Sequence, residues 1–490
     1  MFDKRPIPLL SRLSSKKILV LFVLTLYFLL LGYKLMRLGM HADGVEYGSI
    51  ARNMADGLGS FWKPYHDDFK HPVFHEHPPL VYWIQSFFFK LFGDGPYLEA
   101  FYGLFAGLVI LGCMAMFWRR VRRDFQLSST GNWWPMLLLV SLPLFTYTLQ
   151  VNRLINTYVI LAILAAYAAY LSAMRDRHWV FFSLLSGVLI YLGFIAKGPV
   201  AFFALAVPVI GWLALKAKLS RVISSTFLAA VTFTVILSAT FYFFPDSVDF
   251  WKEFWKAQVV ASLKSARSPG DSHWYLVERW AAEMAAPLAI ALVFMALARV
   301  PLRQIRFNRQ ALFFLLTALA ASLPFLVSTR QHNRYIFQSY PFYVLSLAFV
   351  TENIAGKIES LLKDRPKIRL GVGAVAVLFF VAAVSSMLYF KDHDAKRRAF
   401  YQDFYLQGIQ LPPRITVSAC PEDMISRSWL FADMQRYYRI SVTAKMGNEY
   451  LIIDKKSNCI VPPGYQKVHR QPTRKYILYQ KTPPETKKNE

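Results

Sequence analysis

The feature of this sequence that most limits its fold is a series of apolar runs of about twenty residues, the length that an α-helix needs to cross a bilayer core of about 30 Å. Hydrophobic residues make up 55% of the 490-residue chain. This pattern indicates a polytopic α-helical membrane protein and excludes a soluble cytosolic role. We predict eleven spans, at 18–36, 97–118, 133–150, 155–173, 179–196, 199–215, 222–244, 285–299, 310–328, 336–352 and 370–390.

The positions of lysine and arginine predict how these spans are oriented. Basic residues are concentrated in the N-terminal tail and in alternate loops, at 119–123, 175–177, 216–221, 299–309 and 357–369. Cytoplasmic loops carry such an excess, so the N-terminus is predicted to be cytoplasmic and the C-terminal region extracytoplasmic. The net charge of +26 follows from this topology and does not indicate nucleic-acid binding. No small-residue cleavage site follows the first span, which we interpret as a retained signal anchor.

The outer loop 41–80 concentrates titratable groups in a mostly apolar chain. It contains half of the ten histidines, together with carboxylates such as Asp43, Glu46 and Glu76. Residues 43–58 and 80–92 are predicted to form short helices at the membrane surface, and Pro78-Pro79 suits the beginning of the second one. Tryptophans in the long outer loop 245–283 are typical of the membrane interface.

After residue 390 the composition changes from apolar to mixed, which indicates a domain boundary. We therefore predict a transmembrane domain at 1–390 and a small extracytoplasmic α/β domain at 391–490, whose tail from Lys481 is disordered. The strands are predicted at 415–420, 440–443, 450–454 and 475–479, with a helix at 426–438. Cys420 and Cys459 are the only cysteines of this region and lie on the side where a disulfide persists, so we expect them to be joined.

Four short motifs resemble a known family. They are Asp43-Gly-Val-Glu46-Tyr47, Glu76-His77-Pro78-Pro79, Ala196-Lys197-Gly198-Pro199 and Arg334-Tyr335. In this order, and on the predicted outer side, they are similar to motifs of the bacterial lipid A aminoarabinose transferases, which belong with the protein O-mannosyltransferases to the type C glycosyltransferases. The resemblance covers about residues 18–350 and extends to the small C-terminal domain.

The resemblance implies an integral membrane glycosyltransferase of the bacterial inner membrane. Its donor is expected to be a polyprenyl-phosphate-linked sugar, and its acceptor lipid A, lipopolysaccharide, another envelope glycan or a protein. Two positions depart from the family pattern: Asn156 stands where relatives have an aspartate, and His77 stands where the aminoarabinose transferases have a lysine. Both departures leave the sugar and the acceptor open.

The chemistry of sugar transfer assigns roles to these residues. Transfer needs a base near the attacking group and cations that stabilise the departing phosphate. Asp43 is the candidate base. The resemblance implies an inverting displacement, because a single carboxylate base leaves no nucleophile for a double displacement. Lys197, Arg334 and Arg153 lie at outer ends of spans, where the phosphate of a lipid is expected. Further substrate-binding candidates within the motifs are Glu46, Tyr47, His77 and Tyr335.

Each assignment has a structural alternative. Asp43, followed three residues later by Glu46, also fits the N-cap of a short helix. The three cations fit interfacial anchors, and Tyr335 fits a packing residue of the aromatic belt. No cofactor is required, although Glu76 and His273 could hold a divalent metal. The competing functions are a transporter of a lipid-linked substrate and a non-catalytic factor in envelope assembly. A transporter is expected to have ionisable residues in the middle of its spans and two related halves, and the sequence shows neither.

Overall fold

The computed structural model describes residues 13–37, 39–127, 130–174, 177–260, 274–327, 331–391, 398–421, 429–468 and 472–482. The chain divides into two compact units. The first comprises Met1–Leu35, His75–Val81 and Ala100–Tyr389. The second comprises Met36–Phe74, Tyr82–Glu99 and Phe390–Glu490. The predicted disordered tail falls almost entirely on 483–490, outside the described residues.

The described chain is mostly helical, as the apolar runs predict. The helices are α1 (Ser15–Leu35), α2 (Ala42–Ala55), α3 (Leu80–Phe92), α4 (Leu98–Asp124), α5 (Trp133–Val140), α6 (Pro143–Gln150), α7 (Ile155–Met174), α8 (Trp179–Lys197), α9 (Phe203–Leu215), α10 (Leu219–Phe243), α11 (Asp246–Phe254), α12 (Tyr275–Ala298), α13 (Arg309–Ser322), α14 (Tyr340–Val350), α15 (Glu352–Asp364), α16 (Pro366–Tyr389), α17 (Arg398–Gln410) and α18 (Trp429–Tyr438). Eight helical segments of the described chain are long and apolar enough to span a membrane: α1, α4, α7, α8, α10, α12, Arg309–Leu326 and α16. The predicted polytopic helical class is therefore confirmed.

The three remaining predicted spans are not continuous helices. The run 133–150 is divided into α5 and α6, because Pro143 begins a new helix and the residue before a proline is pushed out of the helical region. The run 199–215 begins with a 3₁₀ turn, Pro199–Phe202, before α9. The run 336–352 likewise has a 3₁₀ segment, Asn333–Ser339, before α14. Hydrophobicity alone therefore located these segments without revealing their breaks.

Helix α1 packs along α16 in the first unit. The rings of Phe22 and Phe379 lie 5.4 Å apart, and those of Phe28 and Phe380 lie 5.7 Å apart. At Gly32 the two backbones are so close that an added Cβ would lie 2.9 Å from the carbonyl oxygen of Ala383. Small residues allow this close approach of two membrane helices.

The second unit contains a five-stranded sheet in the order β2-β1-β3-β5-β4. The strands are β1 (Thr416–Ala419), β2 (Ser441–Thr443), β3 (Tyr450–Asp454), β4 (Tyr465–Lys467) and β5 (Tyr476–Lys481). Strand β1 is parallel to β2 and β3, whereas β5 is antiparallel to β3 and β4. The predicted small α/β domain is confirmed, but strand β4 and helix α17 were missed, because β4 is three residues long and α17 mixes aromatic with polar residues.

The disulfide expected from the sequence is present between Cys420 and Cys459, whose Cα atoms lie 6.2 Å apart. Cys420 directly follows β1, and Cys459 lies in the loop after β3. The bridge therefore joins the end of β1 to the loop that follows β3.

Part of the segment that follows α1 belongs to the second unit. Val45 of α2 is fully buried in the same hydrophobic core as Phe404, Leu430 and Ile452 of the C-terminal region. The compact unit therefore does not coincide with the sequence boundary at 390, since it also takes up the segments 36–74 and 82–99.

Candidate active site

Three sequence-predicted cations come together in the first unit. Lys197 is the last residue of α8, Arg153 lies in the turn before α7, and Arg334 lies in the 3₁₀ segment before α14. Lys197 interacts electrostatically with both arginines. Arg153 is only 4% exposed, whereas Lys197 and Arg334 are partly exposed. Like charges held together repel one another, so an anion that contacts all three would stabilise the cluster.

The turn that carries Arg153 is fixed by Asn156. The Asn156 Nδ2 donates to the carbonyl oxygen of Arg153 at 2.8 Å, and its Oδ1 accepts from the Thr148 hydroxyl at 3.0 Å. The Arg153 amide donates to the Thr148 carbonyl at 3.0 Å. An aspartate at 156 could accept the second bond but could not donate the first. Asn156 thus has a defined role in this turn in place of the family aspartate.

Gly198 ends α8 and sets the direction of the chain after Lys197. Its φ of 88° and ψ of −154° lie in a region that only glycine occupies readily. Its amide donates to the carbonyl of Phe194 at 2.7 Å, and an added Cβ would lie 3.4 Å from the ring of Phe254. A glycine is therefore required by the backbone at position 198, directly after Lys197.

An apolar groove of about 570 Å³ adjoins this end of α8. Phe194 of α8 and Trp251 of α11 line it, and their rings are stacked with centroids 4.2 Å apart. Phe194 precedes Lys197 by three residues and therefore lies on the same helix face. One wall residue of the groove, Phe194, thus lies about one helical turn from Lys197. Its remaining lining residues are mainly apolar, with Lys252 and Lys256 at its edge.

Asp43 lies in the second unit, in the first turn of α2. The N-cap alternative for Asp43 is wrong, because the helix begins at Ala42 and His41 occupies the cap position without a side-chain cap bond. The His41 Nδ1 and the Asp43 Oδ1 lie 3.4 Å apart, and the Asp43 side chain is 34% exposed. The carboxylate is therefore accessible to solvent at the beginning of a helix, where the helix dipole favours negative charge.

Glu46 and Tyr47 follow on the same helix. The Glu46 Oε1 lies 3.6 Å from the His71 Nε2 and 3.9 Å from the Lys70 Nζ. The Tyr47 ring contacts the Tyr82 ring at 5.8 Å between centroids. Both side chains are therefore positioned by residues of the second unit.

A buried polar network that sequence reasoning missed holds α2 in the second unit. The Arg52 guanidinium is 1% exposed and donates to the carbonyl oxygens of Gln435 and Arg436 at 2.8 and 3.0 Å. Burial, with repulsion from Arg436, lowers the pKa of Arg52 to about 10. Arg436 in turn forms ion pairs with Asp94 and Glu99. The carbonyls of Gln435 and Arg436 lie over 380 residues from Arg52 in the sequence, so no local pattern could have identified these two contacts.

The remaining candidates lie in the first unit or outside the described residues. The Tyr335 ring contacts the rings of His332 and Phe325, at 5.3 and 6.0 Å between centroids. His77 is partly exposed and Glu76 is exposed. His273, the other predicted metal ligand, lies outside the described residues. Within the described ranges no group of three or more His, Cys, Asp or Glu is arranged to hold a metal ion, so the metal hypothesis stays a prediction.

Comparisons with known proteins address the fold. Residues 76–243 match the family model described as dolichyl-phosphate-mannose-protein mannosyltransferase. ArnT from Cupriavidus metallidurans bound to undecaprenyl phosphate is similar in structure, with a TM-score of 0.64 and 14% identity, covering 94% of this chain and 97% of that chain. Its apo state gives a TM-score of 0.63, with the same identity and coverage.

More distant similarity extends to the oligosaccharyltransferase from Archaeoglobus fulgidus in complex with Zn and sulfate. The TM-score is 0.47 with 12% identity, covering 90% of this chain and 68% of that chain. No match was found among curated protein sequences. The match to the family model over residues 76–243 and the fold shared with ArnT agree with the resemblance seen in the motifs: the chain has an ArnT-like fold.

Proposed function

We propose that this protein transfers a sugar from a polyprenyl-phosphate donor to an acceptor of the cell envelope, with inversion at the anomeric carbon. The observation that carries the proposal is the cluster of Lys197, Arg153 and Arg334, with an apolar groove lined by Phe194, one helical turn before Lys197 in α8. A polyprenyl phosphate combines an anionic head with a long apolar chain. The cluster suits the head and the groove suits the chain.

In the proposed reaction Asp43 acts at the acceptor. If the acceptor is a hydroxyl group, the carboxylate accepts its proton while the oxygen attacks the anomeric carbon. The bond from that carbon to the donor phosphate breaks, and the phosphate leaves with both electrons. Lys197, Arg153 and Arg334 stabilise the charge that develops on it. If the acceptor is an ionised phosphate, Asp43 orients it instead, because the proton has already left.

The acceptor is proposed to be lipid A or another envelope molecule on the outer side of the bacterial inner membrane. The family resemblance and the fold shared with ArnT, a protein whose structure contains undecaprenyl phosphate, support this choice. The proposed topology places Asp43 and the three cations on the extracytoplasmic side, because the predicted cytoplasmic loops carry the excess of lysine and arginine. Glu46, Tyr47, His77 and Tyr335 are proposed to contact donor or acceptor.

The first experiment separates donor binding from catalysis. Binding of undecaprenyl phosphate to the purified full-length protein is measured for the wild type, Arg334→Ala and Arg279→Ala. Arg279 is an exposed arginine of the same unit and serves as the matched control. We expect Arg334→Ala to weaken binding by about tenfold or more, since a charge-assisted bond to phosphate is lost. Equal binding by all three proteins would contradict the phosphate site.

The second experiment tests the base. Asp43→Asn keeps the size of the side chain but removes its basicity, and Asp364→Asn removes an exposed carboxylate elsewhere. Mass spectrometry of envelope lipids from cells that express each variant measures transfer. We expect Asp43→Asn to lower the rate by about 10²-fold or more, at unchanged undecaprenyl phosphate binding and unchanged protein level. Transfer by Asp43→Asn at the rate of Asp364→Asn would refute the role of Asp43.

The competing transporter function predicts a different product. A transporter moves the lipid-linked sugar across the bilayer without forming a new glycosidic bond. Appearance of sugar on the acceptor in a reaction with purified protein, donor and envelope lipid in detergent, where no second compartment exists, would favour transfer. Its absence under conditions where donor binds would favour transport.

A further inference from the structure

Helix α15 of the first unit presents two different faces. Its apolar side chains Ile354, Ile358 and Leu362 are buried. Its two glutamates that have partners are engaged within the unit: Glu352 pairs with Arg122 at 2.6 Å, and Glu359 accepts from the indole nitrogen of Trp133 at 2.8 Å. The face that remains accessible is therefore mainly basic and polar.

A cavity of about 470 Å³ lies between this accessible face and the end of α12. Arg299, the residue after α12, and Lys357 of α15 line it from two sides. Asn353 and Gln304 also line it and are joined, because the Asn353 Nδ2 donates to the Gln304 carbonyl at 2.9 Å. The Ser360 hydroxyl is a further polar group of the wall.

The charge of this cavity is positive. Arg299 and Lys357 are exposed, and within the part of the chain that the structure describes neither has a carboxylate in ion-pair distance. Glu352 also lines the cavity, but its charge is balanced by Arg122. A ligand that neutralises Arg299 and Lys357 together is therefore an anion with polar groups for Asn353 and Ser360.

The surroundings identify the source of such an anion. The segment 299–309 carries three further exposed arginines, Arg303, Arg306 and Arg309, and two apolar side chains, Leu302 and Phe307, that are 73% and 57% exposed. Guanidinium groups beside exposed apolar side chains suit the boundary between lipid head groups and acyl chains better than bulk water. The segment also joins two spans, α12 and α13, which fixes it at the membrane surface.

We propose that this cavity binds the phosphate head group of an anionic phospholipid, with Arg299 and Lys357 as the phosphate ligands. On the predicted topology the cavity faces the cytoplasmic leaflet, opposite the proposed transfer site, and the lipid is a structural ligand and not a substrate. Basic pockets between membrane helices are suited to such head groups, because the cations meet the phosphate at the depth where it lies.

Native mass spectrometry of the full-length protein with an equal mixture of phosphatidylglycerol and phosphatidylethanolamine tests the proposal. The test variant is Arg299→Asn/Lys357→Gln. Asparagine tolerates the left-handed conformation of residue 299, whose φ is 53°, and glutamine suits the helix at 357. The control is Lys363→Gln/Lys367→Gln, which removes two exposed charges from the same side but leaves the cavity unchanged.

We expect the wild type to retain phosphatidylglycerol in preference to phosphatidylethanolamine. The test variant should bind phosphatidylglycerol about 30-fold more weakly, and the control variant should stay within about threefold of the wild type. Lys357→Gln alone should weaken binding about fivefold and provides the answer if the double variant does not fold. Equal losses in test and control variants, equal binding of the two lipids, or displacement of the lipid by inorganic phosphate at millimolar concentration would each overturn the proposal.

Discussion

The guanidinium of Arg436 and the carboxylate of Glu99 form an ion pair that solvent hardly reaches, with side chains 1% and 0% exposed. The pair joins α18 of the C-terminal region to the beginning of α4, and Asp94 adds a second contact to Arg436 at 2.7 Å. The carboxylate of Glu99 also lies so close to α2 that a Cβ at Gly48 would overlap its Oε1. The helix that carries Asp43 is therefore packed against a buried charge pair within the second unit.

Breaking this pair should destabilise the second unit. Glu99→Gln leaves the buried Arg436 with only part of its compensation, so we expect a loss of about 3 kcal/mol in the free energy of unfolding. Glu99→Met/Arg436→Met removes both charges and should lose clearly less than Glu99→Gln. Denaturant unfolding of the purified protein measures both variants. A double variant less stable than Glu99→Gln would show that the unpaired buried charge of Arg436 is not what destabilises the single variant.

Asn156→Asp should disturb the turn that carries Arg153. The aspartate cannot donate to the carbonyl of Arg153, and its charge would face that oxygen. We expect a loss of about 1–3 kcal/mol in stability together with weaker binding of undecaprenyl phosphate. Asn156→Gln keeps an amide but displaces it, and provides the comparison. Unchanged stability and binding in Asn156→Asp would show that the residue is not needed to fix the turn.

The extent to which the sequence predicted this molecule depended on where the determining contacts lie. Uninterrupted apolar runs predicted helices such as α1 and α7 directly. Helix α12 begins at Tyr275, whereas the sequence predicted a start near residue 285. The prediction missed the first turns because Glu278, Arg279 and Glu283 interrupt the apolar pattern. Glu283 is nevertheless held within the unit, since it accepts a bond from the Leu144 amide at 2.9 Å. Polar residues with tertiary partners thus hid the first turns.

The candidate site shows the same division between local and distant determinants. Lys197, Arg153 and Arg334 could each be selected because they lie at the ends of predicted spans, where the phosphate of a lipid is expected, and predicted topology placed them on one side. The groove could not be predicted, since Phe194 and Trp251 are over fifty residues apart and meet only through tertiary packing. The burial of Arg52 against Gln435 and Arg436 could not be predicted either, because those contacts join distant parts of the chain.

Loss of the disulfide should weaken the C-terminal region without abolishing binding of the lipid. The bridge closes a loop with a sequence separation of 39 residues, for which the chain-entropy estimate gives about 4 kcal/mol. Cys420→Ser/Cys459→Ser should therefore unfold at lower denaturant concentration, and the wild type treated with reductant should behave alike. Cys113→Ser, which removes the free cysteine of the described chain, is the control. A wild type insensitive to reductant would contradict this expectation.

The stability of the second unit should depend on pH through Asp67. Burial alone would raise the pKa of Asp67, but the pair with His66 and the amides of Lys70 and Phe69 stabilise the carboxylate and lower its pKa to about 2 from 3.8. A group with a lowered pKa in the folded state contributes stability above its unfolded pKa and loses it as the pH falls through the folded pKa. We expect about 2 kcal/mol to disappear as the pH falls from about 4 to about 2.

Asp67→Asn provides the comparison for this pH dependence. The variant should be less stable than the wild type at neutral pH, and the difference should shrink as the solution is acidified toward pH 2. Unfolding at a series of pH values, followed by the fluorescence of the purified protein, measures the difference. A constant difference between the two proteins across the acid range would mean that the Asp67 carboxylate does not supply the stability.

The apolar groove leads to a prediction about the length of the lipid chain. If the groove holds isoprene units next to the phosphate, truncation of its wall should weaken binding of long-chain donors more than binding of short ones. Trp251→Ala removes the ring stacked on Phe194 and should cost about 2 kcal/mol or more in binding of undecaprenyl phosphate. Trp274→Ala removes an exposed tryptophan that does not line the groove and is the matched control.

Binding of undecaprenyl phosphate and of an analogue with one isoprene unit is compared for both variants. We expect Trp251→Ala to lose affinity for the long lipid while its affinity for the short analogue, which relies on Lys197, Arg153 and Arg334, changes little. Equal loss for both lipids would place Trp251 at the phosphate and not along the chain, and no loss for either would remove the groove from the donor site.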